Sequence, residues 1–184
     1  VIVVQRIVHL KVHGKLLMVV RKEDGRICRY VHLATGNYND KTAKLYVDMS
    51  LFTTNQEIVN DATLFFNMIS GYSMILPMER LFMTPITLKD RLLELIEREI
   101  RLSTETVPGL IIAKMNSLGD QQIIQKLYEA SQKGVRILLN VRGICMLVPG
   151  VPGQSENIQV VSIIDRYLEH TRVFFFQNGG SEEL

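Results

Sequence analysis

The residues best suited to chemistry stand near the start of the chain, in "KVHGK", where Lys11, His13 and Lys15 occupy every second position. Side chains alternate between the two faces of a strand, so this spacing predicts that all three point the same way. A histidine between two cations is a poor metal ligand but suits a phosphate, and the cations favour the neutral, nucleophilic imidazole. The alternative is a histidine at a strand edge beside two solvated lysines.

A related pair occurs near the other end of the chain, in "EHTRVFFFQ". His170 and Arg172 are spaced like His13 and Lys15, and an apolar run again follows. Two copies of this pattern predict a pair of lobes related by a pseudo-twofold axis. Arg142 follows a predicted strand and opens a Gly/Pro-rich loop, a position where open α/β sheets bind ligands.

Alternating strands and helices must position these residues. Short runs rich in β-branched and apolar residues predict strands over 13–20 and 27–33, on either side of the charged turn "RKEDGR". Helical periodicity covers 56–70, and a stronger amphipathic helix begins near Thr87.

The remainder of the chain predicts a parallel sheet. A strand at "GLIIAKM", a helix over 120–132 and a strand at "VRILLNV" form a βαβ pattern, so the class is α/β. The segment "GYSMILPMERLFMTPIT" has turn signals without a clean period, which places a boundary near residue 80. We therefore expect one lobe over 1–80 and another over 81–184.

Composition excludes several classes of protein. A chain of 184 residues with 47% hydrophobic content can bury a core, and its net charge of +2, spread along the chain, gives no general attraction for nucleic acid or membranes. Cys28 and Cys145 are distant from each other and fit a reducing compartment, so we expect a cytoplasmic protein without disulfides. The first apolar run is interrupted by Arg6 and is too short for a membrane span or a signal peptide. A chain that starts without Met inside a strand-like run predicts a fragment.

The paired motifs resemble the phospholipase D superfamily, in which two histidines face each other across a phosphoryl group. The turn "ATGNYN", residues 34–39, stands where that superfamily has Gly-Ser-x-Asn, and this match marks Asn37 as a secondary site residue. The superfamily's aspartate downstream of the lysine is replaced by Val20 and by Gln177. That departure argues against an ordinary phosphodiesterase.

A second resemblance covers essentially the whole chain, in order. The segments that carry it are "LKVHGKLLMVVRKEDGRICRYVHLATGNYNDKTAKLY", "TLKDRLLELIEREI", "GLIIAKMNSLGD", "VRGICMLVPGVPG" and "SENIQVVSIIDRYLEHTRVFFFQNGG". They are similar to the carboxy-terminal half of bacterial polyphosphate kinases. The resemblance implies two phospholipase-D-like lobes with mixed, largely parallel sheets flanked by helices. It also implies reversible transfer of the terminal phosphate of ATP to polyphosphate through a phosphohistidine.

Motif by motif, the resemblance implies roles for individual residues. His13 takes the place of the phosphorylated histidine and His170 that of the second catalytic histidine, which either gives a proton to the leaving oxygen or stabilises it. Lys15 and Arg172 are the catalytic cations that act on the transferring phosphate. Apart from the resemblance, the carboxylate of Glu169 beside His170 would help keep that histidine protonated if it turned towards the ring, although adjacent strand residues normally face apart.

Other matches are weaker or open to two interpretations. Tyr46 matches the tyrosine that contacts the nucleotide base, and Arg142 an arginine at the phosphates, where His170 also contributes. His32 is secondary, because a structural histidine bonded to the adjacent loop explains it equally well. The family usually has alanine where Gly14 stands, and both residues are small.

The resemblance also implies cofactors and partners. Magnesium is the expected metal, because it binds through phosphate oxygens and needs few protein ligands. The arginines that organise it are expected upstream of this chain, which itself supplies no metal ligand. ATP, ADP and polyphosphate are the expected partners, with no nucleic acid, no transmembrane segment and a homo-oligomeric state. Peripheral membrane association of the parent stays open, and the isolated fragment is expected to be inactive.

Two other functions stay open at this point. One is a phosphodiesterase or transphosphatidylase of the phospholipase D kind. The other is a non-catalytic half-domain that only binds or assembles.

Overall fold

The computed structural model describes Val3, residues 11–71 and residues 77–184. In chain order its elements are β1 (Lys15–Glu23), β2 (Arg26–Ala34), α1 (Asp40–Ala43), β3 (Tyr46–Val47), β4 (Ser50–Thr53), α2 (Gln56–Ile69), α3 (Leu88–Leu102), β5 (Leu110–Met115), α4 (Gln121–Gln132), β6 (Arg136–Val141), β7 (Ile158–Val161), β8 (Leu168–Glu169) and β9 (Val173–Phe176). The class is α/β, which confirms the expectation from the sequence. No helix of the described ranges is long and apolar enough to cross a membrane.

The chain divides into two compact units. Unit 1 consists of Val1–Lys44 and Asp48–Met83, and unit 2 consists of Leu45–Val47 and Thr84–Leu184. Strand β3 therefore belongs to unit 2, although the residues on either side of it belong to unit 1.

Unit 1 is built on an antiparallel hairpin of β1 and β2, to which β4 adds a third strand beside β2. The hairpin turn is Asp24-Gly25, and both residues have positive φ, 48° and 80°, as a two-residue turn of this hand requires. Because two residues suffice for the turn, the strands continue into the predicted charged loop. Strand β1 begins at Lys15 and not at residue 13, so strand alternation does not orient Lys11 or His13.

The core of unit 1 lies between its sheet and α2. Val31 of the sheet and Val59 and Ala62 of α2 are buried against one another. Asp61 is also buried, and its carboxylate accepts hydrogen bonds from the backbone N–H groups of residues 79–81, at 2.6 Å in the shortest case. One carboxylate thus holds the end of unit 1 against α2.

Unit 2 has a four-stranded sheet in the order β7-β6-β5-β9. The first three strands are parallel, as the βαβ pattern predicts, and β9 is antiparallel to β5. Helices α3 and α4 pack on this sheet and bury Ile96 and Leu127 against Ile137. Asp120 caps α4 by accepting from the backbone N–H groups of its first turn, and the helix ends before Gly134, whose φ is +83°.

A second, two-stranded sheet in unit 2 pairs β3 with β8 in parallel. Tyr46 lies opposite Leu168, and Val47 lies opposite Glu169. This pairing joins segments that are far apart in sequence, and nothing in the hydrophobic periodicity of such short strands predicts it.

The buried carboxylate of Asp61 gives a prediction for stability. Asp61→Ala should lower the free energy of unfolding by about 1–3 kcal/mol, because it leaves buried N–H groups without their acceptor. Amide hydrogen exchange should accelerate most at residues 79–81. Asp40→Ala, an exposed aspartate of the same unit, is the matched control and should change exchange at those amides little. Unchanged exchange in Asp61→Ala would show that the carboxylate does not hold this segment.

The ion pairs of Glu183 give a prediction for pH dependence. A hydrogen bond from Arg98, with a further contribution from Arg91, holds the pKa of Glu183 below its ordinary value of 4.5. These ion pairs therefore stabilise the folded state fully at pH values above 4.5, and this stabilisation is lost as the pH falls through the lowered pKa of Glu183. Glu183→Gln should destabilise unit 2 at pH 7, and its difference from wild type should shrink under acid. Denaturant unfolding at several pH values measures the difference in the free energy of unfolding, with the exposed Glu182→Gln as the control. A difference that does not change with pH would contradict the stabilising role of the Glu183 ion pairs.

Candidate functional site

Unit 1 places Lys15 against His13. The ammonium nitrogen of Lys15 lies 3.0 Å from Nδ1 and 3.1 Å from Nε2 of His13, and it donates to the backbone oxygen of His13 at 2.8 Å. His13 is exposed, whereas Lys15 is half-buried as the first residue of β1. A Cβ atom on Gly14 would meet nothing within 4 Å, so alanine would fit here too. The predicted pair is brought together, but by a local contact and not by strand alternation.

His32 lies on β2 within an aromatic cluster. Its ring is 4.2 Å from that of Phe52, and its Nδ1 is 2.8 Å from the hydroxyl oxygen of Tyr38 in the following turn. This contact favours the structural interpretation of His32, because the ring ties the strand to the turn. Asn37, in the same turn, is exposed.

The turn around Asn37 is held by Asp48. Thr35 donates its hydroxyl to Oδ1 of Asp48 at 2.7 Å. A Cβ atom on Gly36 would lie 2.6 Å from Oδ2 of the same carboxylate, so a side chain there would force Asp48 to shift. Asn39 then caps α1 by accepting from the N–H groups of Lys41 and Thr42. The turn is fixed on both sides of Asn37.

In unit 2, the pairing of β3 with β8 brings Tyr46 to His170. Their ring centroids are 5.0 Å apart, and the rings are inclined by 42°. Val47 accepts hydrogen bonds from the backbone N–H of His170 at 3.2 Å and from the N–H and hydroxyl of Thr171 at 3.0 and 2.9 Å. His170 is buried with only 9% of its surface exposed, in contrast to His13.

Glu169 directs its carboxylate to Lys114 of β5. Both side chains are largely buried, with 21% and 23% of their surfaces exposed. The sequence left open whether the carboxylate of Glu169 turns towards the ring of His170, and the structure shows it in an ion pair with Lys114. That ion pair ties β8 to the larger sheet.

Arg142 leaves the carboxyl end of β6, where the sequence predicted a ligand site. Its Nη1 donates to the backbone oxygen of Glu169 at 3.2 Å, and its Nη2 donates to Oδ1 of Asn116 at 2.6 Å. Both acceptors are neutral oxygens, so these bonds fix the guanidinium without cancelling its charge. A fixed cation with further N–H donors is suited to a phosphate.

Arg172 is exposed at the rim of a cavity of about 410 Å³. The other walls are mainly apolar side chains of α3, α4, β5 and β9. Strand β9 begins at Val173, so Arg172, like His13, stands just before its strand and is not oriented by strand alternation.

Sequence reasoning missed Asn116, Lys114 and the β3–β8 pairing. Asn116 follows β5, at the same edge as Arg142, and the rule that ligands bind at the carboxyl ends of strands could have found it. Lys114 alternates with buried residues of a strand, and no local signal marks its partner.

No group of three or more His, Cys, Asp or Glu side chains in the described parts of the chain could hold a metal ion. The site residues are instead cations, imidazoles and amides. Such a set is suited to anions of the phosphate class, in an α/β protein that has a histidine next to a cation in unit 1.

Comparison with known proteins gives the family. Residues 1–75 match the model "Polyphosphate kinase C-terminal domain 1", and residues 81–184 match "Polyphosphate kinase C-terminal domain 2". The chain belongs to the polyphosphate kinase family.

Relatives and a solved structure agree with this assignment. The chain is 50% identical to the polyphosphate kinase of Staphylococcus haemolyticus and 53% identical to that of Halalkalibacterium halodurans, over 99% of its length in each case. It spans only 25% and 26% of those two proteins, about a quarter of their length. The crystal structure of polyphosphate kinase from Porphyromonas gingivalis matches with a TM-score of 0.84 and 40% identity, over 96% of this chain and 29% of that one.

The Lys114–Glu169 ion pair gives a third prediction. Glu169→Gln or Lys114→Met should each lower the free energy of unfolding by about 1–3 kcal/mol, because each leaves one charge buried without its partner. The double variant should cost less than the sum of the two single variants. Denaturant unfolding and amide exchange at Thr171 measure both effects, with the exposed Glu156→Gln as a control. Strictly additive losses would show that the two charges do not interact.

Proposed function

We propose that this chain carries phosphate-transfer residues of a polyphosphate kinase, which reversibly moves the terminal phosphate of ATP to a polyphosphate chain. The observation that carries the proposal is the ammonium of Lys15 beside both ring nitrogens of His13. The family membership and the names of the relatives supply the reaction. The proposal concerns the full-length protein, because the chain spans about a quarter of its relatives.

His13 is the nucleophile in this proposal. A ring nitrogen of His13 attacks the terminal phosphorus of ATP, an N–P bond forms, and the bond from that phosphorus to the bridging oxygen breaks, so ADP leaves with the electron pair. In the second step a terminal oxygen of polyphosphate attacks the phosphohistidine, and the ring recovers its lone pair. Lys15 is placed to neutralise charge on the phosphoryl oxygens in both steps.

Unit 2 contributes the remaining roles. Arg142, fixed by neutral oxygens, binds phosphate oxygens, and the exposed Arg172 supplies a second cation for the transferring group. His170 either donates a proton to the leaving oxygen or stabilises it electrostatically. Tyr46, half-buried and packed on His170, contacts the nucleotide base.

The partners follow from this reaction. ATP, ADP and polyphosphate are the proposed substrates, and magnesium, bound through phosphate oxygens of the nucleotide, would neutralise part of their charge. The described residues contain no group of three or more His, Cys, Asp or Glu side chains that could hold that ion. An ATP-dependent reaction places the parent protein in the cytoplasm in this proposal, and homo-oligomerisation stays a prediction.

The reaction itself tests the function. Full-length enzyme incubated with ATP should produce polyphosphate and ADP in parallel, and excess ADP with polyphosphate should regenerate ATP. A phosphodiesterase of the phospholipase D kind would instead cleave a phosphodiester substrate and would not produce ADP from ATP. Cleavage of a phosphodiester and no transfer from ATP would refute the proposal.

Lys15 gives a prediction with an internal control. Lys15→Gln in the full-length enzyme should lower kcat by about 10²-fold, the scale for one lost contact to developing charge, with little change in melting temperature. Lys22→Gln changes an exposed lysine at the far end of the same strand and should leave kcat near wild type. A large fall in melting temperature with a normal rate would assign Lys15 to stability alone.

A further inference from the structure

We propose that Asn116 is a positioning residue that fixes the guanidinium of Arg142 and so sets the affinity for the nucleotide's phosphates. The inference rests on the proposed function, because it takes Arg142 as a phosphate-binding residue. It adds a residue that neither the motifs nor the family match singled out.

The backbone brings the two residues together. Strands β5 and β6 are parallel neighbours, and their last residues, Met115 and Val141, lie opposite each other. The two segments stay hydrogen-bonded beyond the strands. The backbone N–H of Arg142 donates to the backbone oxygen of Met115 at 3.2 Å, and the backbone N–H of Gly143 donates to that of Asn116 at 2.7 Å. Asn116 and Arg142 therefore leave the same edge of the sheet side by side.

The side chains then fix the guanidinium at two points. Oδ1 of Asn116 accepts from Nη2 of Arg142 at 2.6 Å, while Nη1 donates to the backbone oxygen of Glu169 at 3.2 Å. Two acceptors on separate arms hold the plane of the group. Of the five N–H donors of an arginine, these bonds use two, which leaves further donors for phosphate oxygens.

The amide matters because it is neutral. A carboxylate at position 116 would hold Arg142 in the same geometry but would cancel its charge, as Glu183 does for Arg98 elsewhere in unit 2. Asparagine supplies the acceptor and leaves the positive charge available to an anion. Both the position of Asn116 and its neutral side chain thus suit it to hold Arg142 for phosphate binding.

Gly143 makes room for this contact. A Cβ atom at position 143 would lie 3.0 Å from the backbone oxygen of Asn116 and 3.3 Å from the hydroxyl oxygen of Ser117. A side chain there would therefore push against the segment that carries Asn116. Glycine thus allows the two segments to approach this closely without a shift of Asn116.

The experiment is a mutant cycle in the full-length enzyme, with KM for ATP, kcat and melting temperature measured. Asn116→Ala should raise KM about 10-fold with little change in kcat, because Arg142 must then be ordered when the nucleotide binds. Asn116→Asp, which is isosteric, should raise KM at least as much because it cancels the charge. In an Arg142→Gln background, neither substitution should raise KM further.

Asn157→Ala is the matched control, because this asparagine of unit 2 bonds to the backbone oxygen of Ser131 at 2.9 Å and serves the fold. Its KM should equal that of wild type. Raised KM in Arg142→Gln but normal KM in both Asn116 variants would overturn this inference and leave the proposed function intact. Equal effects of Asn116→Ala with and without Arg142 would also overturn it. Normal KM in Arg142→Gln would overturn the phosphate-binding role of Arg142 and the inference together.

Discussion

The parallel pairing of β3 with β8 is the constraint that brings Tyr46 to His170 in unit 2. These strands contain two residues each, yet they place Tyr46 against His170 and give Val47 three hydrogen bonds from His170 and Thr171. Strands this short have little stability of their own. Their position is fixed by Glu169, whose carboxylate binds Lys114 and whose backbone oxygen binds Arg142. The backbone before His170 is therefore held from both sides.

The charge of the bound partner distinguishes Arg98 and Lys114 from Arg142 in unit 2. Arg98 binds the carboxylate of Glu183, and Lys114 that of Glu169, so these charges are neutralised within the fold. Arg142 is held by an amide and a backbone oxygen and keeps its charge. In unit 1, Lys15 donates to the backbone oxygen of His13 and lies beside its imidazole. The two hydrogen bonds of the Arg142 guanidinium are thus to neutral groups, and an anion can bind it without first displacing either of them by breaking an ion pair.

Helices and strands that depend on a local hydrophobic pattern could be predicted from the sequence. Helix α2 begins and ends within a residue of its predicted range, and the βαβ order of unit 2 followed from apolar runs separated by a capped helix. The starts of β1 and β9 were harder to predict, because His13 and Arg172 precede their strands and backbone hydrogen bonding decides where a strand begins. Contacts between distant segments, such as Lys114 with Glu169, arise only when the chain has folded. The motifs therefore identified candidate residues, whereas the groups that hold them needed the structure.

The central claim is that His13 carries the phosphoryl group. Its most direct test is to incubate the full-length enzyme with γ-labelled ATP and to locate the label by mass spectrometry under conditions that preserve phosphoramidates. The account predicts an acid-labile, base-stable label on His13 that is discharged by ADP or polyphosphate and is absent from a folded His13→Ala enzyme. Label on another residue, or wild-type labelling of folded His13→Ala, would contradict it.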